Sequence, residues 1–209
     1  MKIWGRINST NVRKVLWCAE ELGLTYDRVD AGGAFGLNKE PAYLAMNPNG
    51  LVPCLEDDGL VLWESNAIVR YLARVHGKAP FVPALGTREG EMAFASADKW
   101  LDWAGVLSGP YSDLIYNLVR RKEEDRVEAE IERGKSGCAK LLKIPDAALA
   151  KAPFLSGETL GIGDLALGSM IYALFNMPME RPSLPHLEAW YQRLTARPAY
   201  QKAVMTPVT

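Results

Sequence analysis

Apolar and polar positions follow two different rhythms along this chain. In the first 80 residues, short strand-like runs alternate with helical stretches. Met1–Gly5 and Thr25–Asp30 alternate as strands do, and between them Val12, Val15, Leu16, Ala19 and Leu22 recur at helical spacing. That spacing predicts a helix over about Thr10–Leu22, stopped by Gly23. Ala31–Leu37 is glycine-rich and reads as a loop. Glu40–Met46 reads as a short helix ended by the turn residues Asn47-Pro48-Asn49-Gly50. Val52–Glu56 and Leu60–Trp63, joined by Asp57-Asp58-Gly59, read as a hairpin. Glu64–Val75 then returns to helical spacing through Ile68, Val69, Tyr71, Leu72 and Val75.

Beyond Gly77–Gly86, a stretch broken by Pro80 and Pro83, every strong pattern is helical. A long aromatic-rich helix is expected from Glu89 through Trp103 and beyond. A highly charged one follows over Arg121–Leu142, with Pro145 starting a new turn rather than lying inside a helix. Gly163–Phe175 is almost wholly apolar or small and reads as a central buried helix. Leu184–Leu194 and Pro198–Met205 read as short amphipathic helices. The order of the first part is β-α-β-(α)-β-β-α, a parallel crossover unit followed by an antiparallel hairpin, which fits a thioredoxin-like layer. The expected fold is α/β plus all-α, with a thioredoxin-like βαβαββα domain at 1–78, a linker at 79–86 and an all-helical domain at 87–209.

Composition narrows the function. The 209 residues carry a net charge of −1, with 48% hydrophobic and 23% charged residues, ordinary values for a globular chain that favour neither nucleic acid nor an anionic membrane. No apolar run approaches the ~20 residues of a membrane-spanning helix, and Met1 leads straight into a strand rather than a signal sequence. Three scattered cysteines (Cys18, Cys54, Cys138) suggest neither a disulfide framework nor a metal site. Two unclustered histidines argue against a metal as well. A cytoplasmic location is expected.

A thioredoxin-like layer usually carries Cys-x-x-Cys at the start of its first helix; here that place holds Ser9-Thr10-Asn11-Val12. A helix start without its own thiol suits a thiol brought by a ligand, because the dipole and free N–H groups favour a thiolate there. Glu64-Ser65 opens a second helix in the same domain. Taken singly, Ser9 reads as an N-cap, Asn11 as a turn residue and Glu64-Ser65 as a cap. The Arg120–Arg133 charge run reads as a solvated helix face.

Together these segments resemble the glutathione transferase family over essentially the whole chain. Asn8–Val15 resembles the serine-type entry to the first helix. Asn47–Pro53 is similar to the family's approach to its cis-proline, and Leu62–Ile68 to its Glu-Ser turn. Pro153–Gly157 with Asp164 is similar to the segment entering the central helix. The resemblance implies that Ser9, and secondarily Asn11, activate the thiol of glutathione. It also implies that Val52, before Pro53, pairs with the cysteinyl part, and that Glu64 and Ser65 hold the γ-glutamyl end. Leu51 stands where many members place a polar residue for the glycyl carboxylate, so that role is expected to pass to Asn38 or Lys39. Gly161-Ile162-Gly163-Asp164 lacks the family's hydroxyl cap. Trp103 and Tyr111 are weighed as acceptor-site residues against a plain core role. The implied activity is a glutathione S-transferase of detoxification type, with glutathione as co-substrate, a small electrophile as partner, no metal, and a homodimer. Glutathione-dependent disulfide or peroxide reduction, or a non-catalytic binding or docking module, remain as alternatives.

Overall fold

The computed structural model describes all of residues 1–209. The chain begins with β1 (Lys2–Trp4), α1 (Thr10–Glu21), β2 (Asp27–Val29), α2 (Pro41–Met46), β3 (Cys54–Asp57), β4 (Leu60–Trp63) and α3 (Ser65–His76). The sheet order is β2-β1-β3-β4, with β1 and β2 parallel and the other pairs antiparallel. This is the expected thioredoxin-like layer. Gly23 stops α1 by adopting φ +66°, the left-handed region that a side chain disfavours. The Val52-Pro53 and Ala79-Pro80 peptide bonds are cis.

The remainder is helical: α4 (Arg88–Ile115), α5 (Glu128–Leu141), α6 (Lys143–Leu149), α7 (Ile162–Phe175), α8 (Pro185–Thr195) and α9 (Pro198–Ala203). Thr87 caps α4, its hydroxyl accepting the Gly90 N–H at 3.0 Å. One boundary differs markedly from the sequence reading. The charged helix starts at Glu128 instead of Arg121, because α4 continues as a π-helical turn over Tyr116–Arg120 and residues 121–127 form its exit. Asn117, fully buried, fixes that turn. Its amide donates to the Asp113 carbonyl at 2.7 Å and to Glu130 at 2.8 Å, and its carbonyl oxygen accepts from the Val127 N–H and from Arg121. Pro145 falls in the first turn of α6, where its missing N–H costs no helical bond.

α7 is the centre of the helical half, with Ile162–Ile171 buried throughout. The hydroxyl that Gly161 lacks comes from elsewhere: Ser156 Oγ accepts the Gly163 N–H at 3.0 Å. The buried Asp164 carboxylate accepts from the backbone N–H of Leu155 (2.8 Å) and Gly161 (3.0 Å) and from the Trp190 indole (2.8 Å).

α1 is buried from Val12 through Ala19, since the sheet covers one side and α7 with α9 the other. The approach to α7 is close. A Cβ on Gly168 would lie 2.3 Å from the Trp17 ring, so only glycine fits there. Arg13, 1% exposed, donates to the carbonyls of Ile7 (3.0 Å), Thr206 (3.1 Å) and Pro207 (2.7 Å) and to the Thr206 hydroxyl (2.7 Å). Arg197 makes a two-pronged ion pair with Glu21 at 2.7 Å on each arm. The two halves therefore share one core.

Candidate functional site

Ser9 ends the loop after β1 and stands at the start of α1. Its backbone is extended, and its hydroxyl makes no cap bond to the helix. That hydroxyl is thus uncommitted at the positive end of a 12-residue helix. Thr10 instead bonds across to the helical half, its Oγ1 lying 2.7 Å from the Tyr111 hydroxyl. Asn11 is exposed. Its Oδ1 accepts from the Ser65 hydroxyl at 3.3 Å, which leaves the amide hydrogens without a protein partner.

Ser65, 7% exposed, is the first residue of α3. Glu64 precedes it with φ +72°, a conformation that is strained for a side-chain-bearing residue, and it is exposed. The third member of this group is Lys14, which no motif reading singled out. From α1 its ammonium donates to Ser65 Oγ at 3.2 Å and to Asn66 Oδ1 at 2.6 Å. Burial lowers the Lys14 pKa to about 8, with Glu64 acting in the opposite direction. The helix starts of α1 and α3 are therefore tied together through Lys14, Ser65 and Asn11.

A cleft of about 280 Å³ runs between the two halves and takes in Ser9, Asn11, Asn38, Leu51, Val52 and Tyr111. Asn38 Nδ2 donates to the Gly50 carbonyl at 2.7 Å, and the Lys39 ammonium lies beside Gly50. The Leu51 side chain is exposed, while its carbonyl is held by Tyr43 at 2.6 Å and Asn47 at 2.8 Å. Val52 is half-buried and Pro53 is buried. Tyr111 is 5% exposed, and burial raises its phenol pKa. Trp103 is not brought to the cleft; it packs edge-on against Trp100 at 5.5 Å. A larger groove of about 730 Å³ lies between the C-terminal end of α1 and residues 75–81, and it contains none of the expected site residues.

Two arginines also line the cleft, Arg6 from the β1–α1 loop and Arg120 from the π-helical turn. Neither stood out in the sequence, because an isolated arginine beside a strand and the first charge of a charged run both read as solvated surface. All three thiols are buried and protonated. Burial pushes Cys54 up to about 11 and Cys138 up to about 12, and raises Cys18 as well. No group of three or more His, Cys, Asp or Glu side chains is placed to hold a metal ion, and no helix is long and apolar enough to cross a membrane.

Comparison with known proteins agrees with this architecture. The family model of the glutathione S-transferase N-terminal domain matches residues 1–74, and that of the C-terminal domain matches residues 107–198. Glutathione S-transferase GstB of Escherichia coli is 47% identical over 99% of both chains. The theta class glutathione S-transferase of Xanthomonas axonopodis pv. citri, crystallised with glutathione bound, superposes with a TM-score of 0.94. It is 52% identical, over 100% of this chain and 98% of the other. Glutathione S-transferase I from maize, solved with an atrazine–glutathione conjugate, superposes with a TM-score of 0.83. It is 28% identical, over 98% and 96% of the two chains.

Proposed function

Because the chain belongs to the glutathione S-transferase family, we propose that it binds glutathione along this cleft, ionises the thiol beside Ser9 and transfers it to a small electrophile. The observation that carries the reading is the free Ser9 hydroxyl at the start of α1, next to an Asn11 amide whose oxygen is already engaged. Both groups have hydrogens left to donate to a thiolate. The helix dipole adds to them, and charge-assisted hydrogen bonds of this kind lower a thiol's pKa.

The remaining contacts follow the chemistry of the tripeptide. Glu64 takes the α-amino group and the Ser65 backbone N–H, at the start of α3, the α-carboxylate of the γ-glutamyl residue, and Lys14 steadies the Ser65 hydroxyl from behind. Backbone groups of Val52, ahead of Pro53, pair with the cysteinyl unit as an added strand would. Asn38 and Lys39 take the glycyl carboxylate beside Leu51. In the transfer itself the thiol proton leaves to water. The sulfur pair forms a C–S bond, and the leaving group departs with the electrons of the bond it breaks. The protein supplies thiolate and proximity. Tyr111 borders the acceptor end, whereas Trp103 serves the core.

We assign residues 1–78 to glutathione, 79–86 to the linker and 87–209 to the helical part that completes the acceptor side. A homodimer is supported by the exposed apolar side chains Val61, Trp63, Met92 and Val106 on β4 and α4. Buried, protonated thiols suit a cytoplasmic protein.

The test is the ionisation of bound glutathione, followed by thiolate absorbance against pH in the wild type, Ser9→Ala, Asn11→Ala and the double variant. Each single change should raise the thiol pKa, and the double change should raise it more. Bound glutathione titrating alike in all four would remove both residues from the chemistry. Parallel assays with a mixed disulfide and a hydroperoxide separate transfer from the two reductive activities.

A further inference from the structure

Taking the proposed glutathione site as given, we infer that the acceptor carries an acidic group: Arg6 and Arg120 form an anion-binding subsite across the cleft from Ser9. Three observations support it. First, both guanidiniums line the cleft, and neither has a carboxylate partner, although twelve ion pairs occupy other charges in the molecule. No Asp or Glu lines the stretch of cleft that holds the two arginines, and Glu64 lies outside it. Second, Arg6 Nε is buried without any hydrogen-bond partner, while Nη1 is spent on Asn8 at 2.8 Å. An orphaned buried donor costs stability unless a ligand completes it. Third, Arg120 is exposed, with its guanidinium resting on an aromatic neighbour. It stacks 4.8 Å from the Tyr116 ring centre, on the π-helical turn that Asn117 locks through its bonds to Asp113, Glu130, Arg121 and Val127. Such turns recur at functional sites.

The two cations also face each other unfavourably. Burial and then the nearby Arg120 charge lower the Arg6 pKa, with Tyr116 working the other way. An anion placed between them relieves both costs, and a guanidinium fork matches the geometry of a carboxylate. The two carboxylates of glutathione have other places, beside Ser65 and beside Asn38 with Lys39. The Arg6–Arg120 pair is thus left for the second substrate. The focused positive potential also steers anionic acceptors into the cleft.

The experiment compares 4-chloro-3-nitrobenzoate with the neutral 4-chloro-3-nitrobenzamide, each with glutathione. In both, the thiolate sulfur bonds to the ring carbon and chloride leaves with the pair. Every rate is divided by the uncatalysed rate of the same compound. The wild type should favour the benzoate in this normalised kcat/KM. Arg120→Gln should cut benzoate turnover roughly ten- to a hundredfold, the loss expected when a hydrogen bond to a charged group is removed. The benzamide should lose much less, and Arg120→Lys should recover part of the benzoate activity. Arg6→Gln should act in the same sense without raising the KM for glutathione. Preference for the benzamide, or equal losses for both acceptors in Arg120→Gln, would overturn the subsite. A raised glutathione KM in Arg6→Gln would reassign Arg6 to glutathione and overturn the pair. Failure of the wild type to bind glutathione by calorimetry would instead refute the underlying function, and the subsite with it.

Discussion

The buried Lys14 offers a test that depends on position alone. Its pKa falls from the ordinary 10.5 to about 8 because α1 carries it into the interior. Below pH 8 the side chain is charged in both folded and unfolded protein, and the folded state bears the full cost of burying it. Between pH 8 and 10.5 the folded protein has released the proton while the unfolded chain still binds it. The unfolded state then holds more protons, so stability must rise with pH through that window. At pH 9.5 the gain over pH 7 amounts to about 2 kcal/mol, from one and a half pH units at about 1.4 kcal/mol each. Other groups oppose this trend at high pH. Buried tyrosines and cysteines with raised pKa values ionise more easily unfolded and lose stability there. They cancel in a difference. Urea unfolding of wild type and Lys14→Met, at one protein concentration and at steps from pH 7 to 9.5, isolates the Lys14 contribution. The wild type should gain on the variant steadily above pH 8. Parallel curves over the whole range would show that Lys14 is not buried as a charge, and that the Lys14–Ser65–Asn66 contacts are those of an ordinary solvated amine.

Three further outcomes follow from the site and its support. Glu64→Ala should weaken glutathione binding roughly ten- to a hundredfold, the cost of a lost hydrogen bond to a charged group; isothermal titration measures it, and unchanged affinity would take Glu64 out of the site. Asp164→Ala strands the buried donors of Leu155, Gly161 and Trp190, each worth about 1–3 kcal/mol, so thermal unfolding should shift down sharply or the chain should fail to accumulate. Sedimentation should give a dimer near twice the 23.1 kDa of one chain, and introducing lysine at the exposed Trp63 and Val61 should dissociate it; a wild-type monomer at micromolar concentration would end that assignment.

Periodicity located the main elements because most bury one apolar face, while α7 is apolar nearly throughout and α1 keeps its apolar spacing although it is covered on both sides. The α5 start was misplaced for a physical reason. Residues 121–127 look like a charged helix, and only the distant Glu130 and the buried Asn117 turn them into an exit from a π-helical turn. Ser9, Asn11 and Glu64-Ser65 stand out as candidates in the sequence because a helix start and a thiol-free thioredoxin position are local signals. Lys14, Arg6 and Arg120 do not, since a single cation carries no local mark of whether it ends in water, in a core or over a ligand. Gly161 looked like a weakened cap for the same reason, as its substitute hydroxyl lies at Ser156.

The Arg13 bonds to Thr206 and Pro207 join positions up to 194 residues apart, on the helix that starts after Ser9. A ribosome adds about 5–20 residues per second. Arg13 is therefore incorporated roughly ten to forty seconds before the Thr206 and Pro207 carbonyls exist. Until they arrive, α1 would have to bury a guanidinium with half its donors empty. The proposed glutathione cradle, though encoded first, is in this sense assembled late. A frameshift close to codon 206 would damage a ligand site whose own residues were translated without error.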